Sequence, residues 1–480
     1  MIATIAAAEL RLMLRLRLAL VGLAALLLLS AIAAVTSAVQ ISAAAAARAE
    51  AQATTDAQFK AQPDRHPHRM VHYGTYALRP VGPLAAFDPG VDAFTGTLLF
   101  LEGHRQNSAT FGAARESSDL VRFGQLTPAF VLQTLAPLLL IFLGFASVAR
   151  ERERGSLRAL AAHGASGAAI LGGKAMALGA AAVLAMLPAF AALGWAAAQQ
   201  PGEAGIAALT ALSYSGYLLI WVLLITAVSA LAASAQGALV TLIAAWAIVV
   251  VLVPRAAAAW VGVAEPLPSR VDTEFAIAAD LRRIGDSHNP NDPHFAAFKA
   301  KLLARYGVTK VEDLPFNYRG VLAQEGERLT SQLFKHYAAR AAAIQNAQTD
   351  RLTALGLISP ALAVRRASMT GAATDLGTHL AFLAAAEAYR YDMVQKLNGL
   401  QASAVASADD AARSKDPIAD RRTRISADFW KTIPDFRFDA PTPSERASGM
   451  AWPLGIVALW IALAFGLLVR ASRRLERAAA

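Results

Sequence analysis

The sequence predicts an α-helical integral membrane protein: six transmembrane helices carrying two extracytoplasmic inserts, the first mixed and the second mainly α. Three observations predict it. The 480-residue chain is 56% hydrophobic and only 17% charged, too apolar for a soluble chain of this length. Its apolar residues gather in blocks of about twenty, the length a helix needs to cross the hydrocarbon core. Its arginines cluster at alternate ends of those blocks, and basic flanks mark the cytoplasmic side. The net charge of +10 therefore reads as cytoplasmic flanks and not as a nucleic-acid surface.

Residues 1–17 form a cytoplasmic N-terminus, with Glu9 set among Arg11, Arg15 and Arg17. Residues 18–42 are the first span. Its uncharged run exceeds the roughly 7–15 residues of a signal-peptide core, so it reads as a retained anchor. The first insert, 43–127, opens with an Ala/Gln-rich segment that extends the first helix outward. Pro63, Pro67, Pro80, Pro83 and Pro89, interleaved with Tyr73, Tyr76, Val81 and Phe87, then indicate loops and short strands.

The second span is 128–149; its Pro137 is tolerable in lipid if a neighbour re-satisfies the carbonyl it strips. A charged cytoplasmic segment, 150–168, leads to the third span at 169–198, with Lys174 near its inner edge. Short turns separate the fourth span (208–231) and the fifth (237–263).

The second insert, 265–448, is large enough for its own core. Helical periodicity is strongest at 375–397, where Phe382, Ala386, Tyr389, Met393 and Leu397 share a face. Breakers at Asn289 and Pro290, at Ser359 and Pro360, and at Pro434 divide its helices. The sixth span is 450–470, and 471–480 is a basic cytoplasmic tail. Both ends inside satisfies all three basic segments.

The sequence excludes several chemistries. With no cysteine there is no disulfide or thiolate site. No histidine is followed by glutamate, as a zinc-protease helix requires, and Gly172-Gly173-Lys174 falls short of a phosphate loop because Ala168 and Ala175 stand where it needs glycine and a hydroxyl. The chain is expected to bind no cofactor and to be no enzyme. The spans hold hardly any ionisable residue, which argues against a proton-coupled carrier or an ion channel. One cluster stands out: His66, His68, Met70 and His72 alternate at period two. An extended segment puts all four on one face, a donor set that suits copper or another late transition metal. Pro67 opposes a regular strand there.

The stretch 149–173, ARERERGSLRALAAHGASGAAILGG, organises the rest. Leu157, Leu160 and Ala161 at helical spacing, next to a run of charge, give a short amphipathic helix between two spans. Such a helix lies on the bilayer surface or docks onto a partner there.

Glu151, Glu153, Gly155, Ser156 and Leu157, followed by Gly173-Lys174, make the chain resemble an ABC-2-type exporter permease; Ser156 stands where that family usually has Thr. The resemblance implies that Glu151, Glu153, Gly155, Ser156, Leu157 and Leu160 form a coupling helix. That helix would be held in a groove of a separate cytoplasmic ABC ATPase, which binds ATP and Mg. It also implies a second permease, identical or a sister subunit.

The stretches Pro315 to Gly320, Ile358-Ser359-Pro360, Thr374 to His379, Ala386 to Arg390, Phe429-Trp430 and Ile433 to Phe436 resemble a branch with a large extracytoplasmic domain of unknown function. That branch is similar to the membrane subunit of the nitrous-oxide-reductase maturation transporter. The resemblance implies a multi-pass protein of the bacterial inner membrane, in contact with lipid and not with nucleic acid. The alternative is a subunit that transmits force from the ATPase to a periplasmic or outer-membrane partner without moving substrate.

Overall fold

A computed structural model describes residues 1–92, 94–107, 109, 126–287, 289 and 291–479. The stretch 110–125 of the first insert and the expected breaker at Pro290 lie outside the described residues. Ala- and Leu-rich runs lose little side-chain entropy in a helix. Among the described residues, six helices are long and apolar enough to cross a bilayer: Ala19–Lys60, Pro128–Glu153, Gly167–Ala197, Glu203–Leu231, Ala235–Ala264 and Pro443–Arg477.

In chain order, α1 (Ile2–Arg15) breaks at Leu16 and α2 (Arg17–Lys60) follows without interruption. At 1.5 Å per residue its 44 residues reach about 66 Å, roughly twice a hydrocarbon core. The first insert then supplies α3 (Pro67–Tyr73) and the strands β1 (Thr75–Leu78) and β2 (Leu98–Leu101). The strands pair antiparallel, with Thr75 opposite Leu101.

Helix α4 covers 128–144 with a π turn at Val131–Leu135, and two short helices follow, α5 (Ala149–Glu153) and α6 (Ser156–Ala162). Next come α7 (Gly167–Ala197), α8 (Glu203–Leu231) and α9 (Ala235–Ala264), the last with a π turn at Ala247–Leu252. The second insert contains α10 (Arg270–Ile284), α11 (Pro293–Tyr306), α12 (Tyr318–Ala354), α13 (Pro360–Gly371), α14 (Leu376–Ala404), α15 (Ser407–Ala412) and α16 (Pro417–Arg422). The chain closes with α17 (Pro443–Ala479).

Helix α8 is the axis of the bundle, burying Tyr214, Tyr217 and Trp221 against α4, α7, α13 and α17. Two irregular turns of the bundle have their carbonyls taken up by hydroxyls. Pro137 has no N–H for the carbonyl of Gln133 one turn back, and the Tyr217 hydroxyl donates to that carbonyl at 2.9 Å. In the π turn of α9, the carbonyl of Val249 accepts from Ser359 Oγ at 2.6 Å. α9 lies at the edge, with Val240, Ile248, Leu252, Trp260 and Val263 exposed.

Two findings depart from the sequence expectation. The second insert does not stay clear of the spans, because residues 355–371 return among them. Trp460 Nε1 of α17 donates to the carbonyl of Gly356 at 3.0 Å, the Tyr214 hydroxyl donates to Ser368 Oγ at 2.9 Å, and Ala363 is fully buried with Ile220 and Ile456. Nor, among the described residues, does that insert have a hydrophobic cluster of its own. Phe59, Met70 and Val71 of the first insert pack with Met393, Val394, Leu397 and Trp430 of the second, and Ala77, Leu99 and Leu101 pack with Phe382, Ala386 and Phe436. The two inserts are one body. The shared face expected on α14 is the seam of that body, while Phe429 beside the buried Trp430 is exposed.

Gly320 sets the spacing within it. A methyl there would lie 2.3 Å from the backbone nitrogen of Ala402, so α12 rests directly on the end of α14. Gly320→Ala is expected to destabilise the inserts by about 1–3 kcal/mol through overpacking. Gly262→Ala on α9, where nothing lies within 4 Å, is expected to be neutral. Thermal denaturation of the two variants checks both; equal melting temperatures would refute the packing argument.

Candidate functional site

The segment between the second and third spans folds as an elbow, not as the single helix expected over 151–160. After α5 the backbone turns at Gly155, whose φ of +74° suits glycine, and α6 starts in a new direction. No atom lies within 4 Å of a Cβ built there, so it is backbone conformation and not crowding that favours glycine.

The elbow sits at the end of the bundle that carries both termini. Leu157 and Leu160 point inward and pack against the cluster of Ile170, Leu468 and Leu475 from α7 and α17. Arg154, Ser156, Arg158 and His163 are exposed.

The inner side of the elbow is fixed by charge and capping. Lys174, buried in the first turns of α7, bonds Glu9 Oε2 of α1 at 2.5 Å and Glu151 Oε1 of α5 at 2.6 Å. Gly173 explains how α1 comes so close, since a methyl on it would fall 2.7 Å from Ile5 Cβ. The Gly-Gly-Lys run is thus a helix-packing and ion-pair device.

At the other anchor, Ser229 Oγ of α8 accepts from the Val148 and Ala149 amides at 3.0 and 3.2 Å. The Arg152 guanidinium donates to the carbonyls of Ala230 and Ala232, which the helix end leaves without partners. Glu153 Oε1 accepts from the Ala235 amide at 2.9 Å and so caps α9. Of the six residues expected at this contact, Glu151 and Glu153 are therefore engaged within the chain, Leu157 and Leu160 face the bundle, and Gly155 and Ser156 are exposed. Glu9, Lys174, Arg152 and Ser229 complete the site. The sequence signal for Glu9, Arg152 and Lys174 is charge at span edges, which marks topology alone; Ser229 carries no signal of its own.

The expected metal ligands are split apart. Residues 67–73 are helical, with Pro67 at the first helical position and His66 as the N-cap accepting from the His68 amide at 3.1 Å. A helix does not align positions at period two, so the four-residue face dissolves. Met70 is fully buried in the shared core.

His66 is buried with its Nε2 3.2 Å from Asp410 Oδ1. Burial alone would push Asp410 up, but His66 and the amides of Asn317 and Gln401 outweigh it and hold the carboxyl well below the usual carboxylate range. His68 and His72, one helical turn apart, do share a face, and His104 from the loop after β2 joins them; the three present ring nitrogens within 4.8 Å of one another. Burial, and then the neighbouring His72 and His104, push His68 down to about 3. The i,i+4 spacing was visible in the sequence; His104 was missed because only the pairing of β1 with β2 brings it near.

A cleft of about 290 Å³ opens where the inserts meet the bundle, lined by Asp88, Gln133, Thr134, Val250 and Arg365 among others. Asp88 is buried, which pushes its carboxyl up, and its Oδ1 accepts from the Gly90 amide at 3.0 Å.

This arrangement defines a polytopic membrane protein with one joined insert body at one end of its bundle and a polar elbow at the other. The family described as ABC-2 family transporter protein matches residues 3–271, more than half of the chain, and the chain belongs to that family. It is a transmembrane permease of an ABC transporter, a class that works with a cytoplasmic ATPase. A domain of unknown function (DUF3526) matches residues 273–439, most of the second insert. No curated protein and no solved structure matches the chain.

Removing Lys174 would leave the buried Glu9 carboxylate without its cation. Lys174→Met is expected to cost about 3–5 kcal/mol, the penalty for breaking a buried pair from one side. Glu151→Gln, at the more exposed end, is expected to cost less. Melting temperatures in detergent give the order, and a Lys174→Met protein as stable as the parent would show that the triad contributes nothing.

Proposed function

We propose that the α5–α6 elbow is where a separate cytoplasmic ATPase grips, and that this chain is the permease of an ATP-driven exporter. One observation carries the reading. The elbow offers a small polar outer face, while its inner face is bonded to α1, α7, α8 and α9 through Lys174, Ser229, Arg152 and Glu153. A push on the outside is delivered to three spans and the N-terminal helix at once.

In this reading the termini and elbow are cytoplasmic, the insert body is extracytoplasmic, and the membrane is the bacterial inner membrane. ATP and Mg belong to the ATPase, and this chain is no enzyme. A second permease, identical or a sister, completes the pair. The cleft beside Asp88 and Arg365 is the proposed place for a polar substrate group. The likeness to the membrane subunit of the nitrous-oxide-reductase maturation transporter belongs to this proposal as architecture, not as cargo.

A second reading is favoured by the shared core of the inserts and by the unbroken α2 and α17 that carry it. A stiff body on continuous rods suits force transmission to a periplasmic or outer-membrane partner. ATPase activity that rises with substrate favours export; a stable complex with such a partner, with no effect of any substrate, favours transmission.

The elbow itself is tested away from its structural residues. Reversing Arg158, which is exposed and makes no fold contact of the kind Glu151 makes, is expected to lower permease-stimulated ATPase activity about fivefold, near 1 kcal/mol of lost contact. The melting temperature of Arg158→Glu should stay at the parental value. Full stimulation by a folded Arg158→Glu, Ser156→Arg double variant would exclude the elbow as the grip.

A further inference from the structure

We propose that His68, His72 and His104 bind one late first-row divalent cation, Cu²⁺ or Zn²⁺, at the junction of the two inserts. The geometry is close to that of a bound site. His68 and His72 project from one face of α3, and their Nε2 atoms are 3.2 Å apart. Two imidazoles on a tetrahedral ion at about 2.0–2.1 Å hold their nitrogens roughly 3.3 Å apart, so this pair is already at ligating distance. The third nitrogen lies within 4.8 Å and has to close by no more than about 1.5 Å to meet the same spacing.

The backbone is built to deliver His104. The Gly103 amide donates to the Val71 carbonyl at 3.1 Å, and a methyl on Gly103 would fall 2.2 Å from Val71 Cγ1. Only glycine lets the loop lie against α3. His104 itself takes φ +65°, uncommon for a residue with a side chain.

Glu327 of α12 stands behind it. Glu327 Oε2 accepts from the His104 amide at 3.1 Å and lies 3.7 Å from Nδ1, the place of the carboxylate that orients a ligating imidazole. Arg390, bonded to Glu327 at 2.6 Å and to Glu387 at 2.8 Å, holds that carboxylate still.

The donor set selects the ion. Three imidazoles with no thiolate suit copper and zinc, and a site without carboxylate or carbonyl ligands is poor for magnesium or calcium. His72 is exposed, so the fourth position faces solvent and the ion can exchange. Without a cation one of the two Nε2 atoms donates to the other; with it, the donor ring's proton moves to its own Nδ1, so that both Nε2 atoms turn a lone pair to the ion, which takes the place of the shared hydrogen. The ion would clip α3 to the loop after β2. This proposal is independent of the ATPase reading.

The test is titration of the full-length chain in detergent, stripped with chelator, with Zn²⁺ and Cu²⁺ in separate arms against a competing indicator. One equivalent is expected to bind and to raise the melting temperature. In the copper arm the electron spin resonance spectrum should show nitrogen coupling from three imidazoles. His72→Gln, an exposed change that leaves the fold intact, is expected to weaken binding at least tenfold, to remove one nitrogen and to abolish the thermal shift. His163→Gln and His336→Gln, exposed elsewhere, should change nothing. Parental affinity in His72→Gln and in His104→Gln would overturn the site, as would wild-type binding weaker than about 100 µM.

Discussion

The structure depends on a lysine that cannot be left alone. Lys174 is buried where three elements meet, and it neutralises Glu9 on one side and Glu151 on the other. A buried ion pair adds little net stability, because desolvation offsets attraction, but breaking it from one side is costly. Its effect is therefore geometric: α1, the elbow and α7 keep one relative placement, and displacing the elbow either carries α7 along or separates charges in a poorly hydrated place. The glycine beside it, Gly173, makes the approach of α1 possible.

The opposite end of the bundle repeats the device. Arg446 on α17 donates to both oxygens of Glu203 on α8, at 3.0 and 2.5 Å, and to the carbonyl of Gly371 at the end of α13, at 2.9 Å. Gly371 is again the close-approach residue, since a methyl there would be 2.9 Å from Thr210 Oγ1. Each end of the apolar bundle is thus pinned by one buried cation shared among three elements. Between them, carbonyls freed at irregular turns are taken up by hydroxyls, as with Tyr217 on the carbonyl that Pro137 strips and Ser359 on that of Val249. That economy agrees with spans almost free of charge.

The spans were legible because an apolar block of about twenty residues has few other fates, and the inward face of α14 was legible because its period is long and regular. The rest fails for identifiable reasons. Residues 66–72 carry two patterns at once, period two in His66, His68, Met70 and His72, and period four in His68 and His72. Burial of Met70 and Val71 against α14 decides for the helix, a contact that spans over 300 residues of sequence. The elbow reads as one helix because a single glycine is tolerated within a helical pattern, and nothing local announces a positive φ at Gly155. The return of 355–371 among the spans is hidden by length, as α13 has only 12 residues and no apolar block marks it. Of the elbow residues, Glu151 and Glu153 stand out in the sequence as charge between two spans, whereas their partners on α1, α7 and α9 were beyond sequence reach.

What links the two ends is helix continuity. α2 leaves the bundle and reaches the insert body without a break, ending near Phe59 in the shared core, and Lys60 pairs with Asp435 at 2.6 Å just before the chain re-enters the bundle as α17. A helix resists compression because each turn is held by its own hydrogen bonds, so a tilt at one end of a rod about 66 Å long is enlarged rather than absorbed at the other. The insert body is fastened to the bundle at several places, among them the α2 rod, the α13 wedge, the α17 rod and the turn at Leu84 and Phe87. A body held at one point could swing freely; one held at several follows the relative motion of its supports. Any rearrangement among α2, α8 and α17 must therefore change the insert body as a unit or open its shared core, and the close contact at Gly320 on Ala402 leaves little slack for the second outcome.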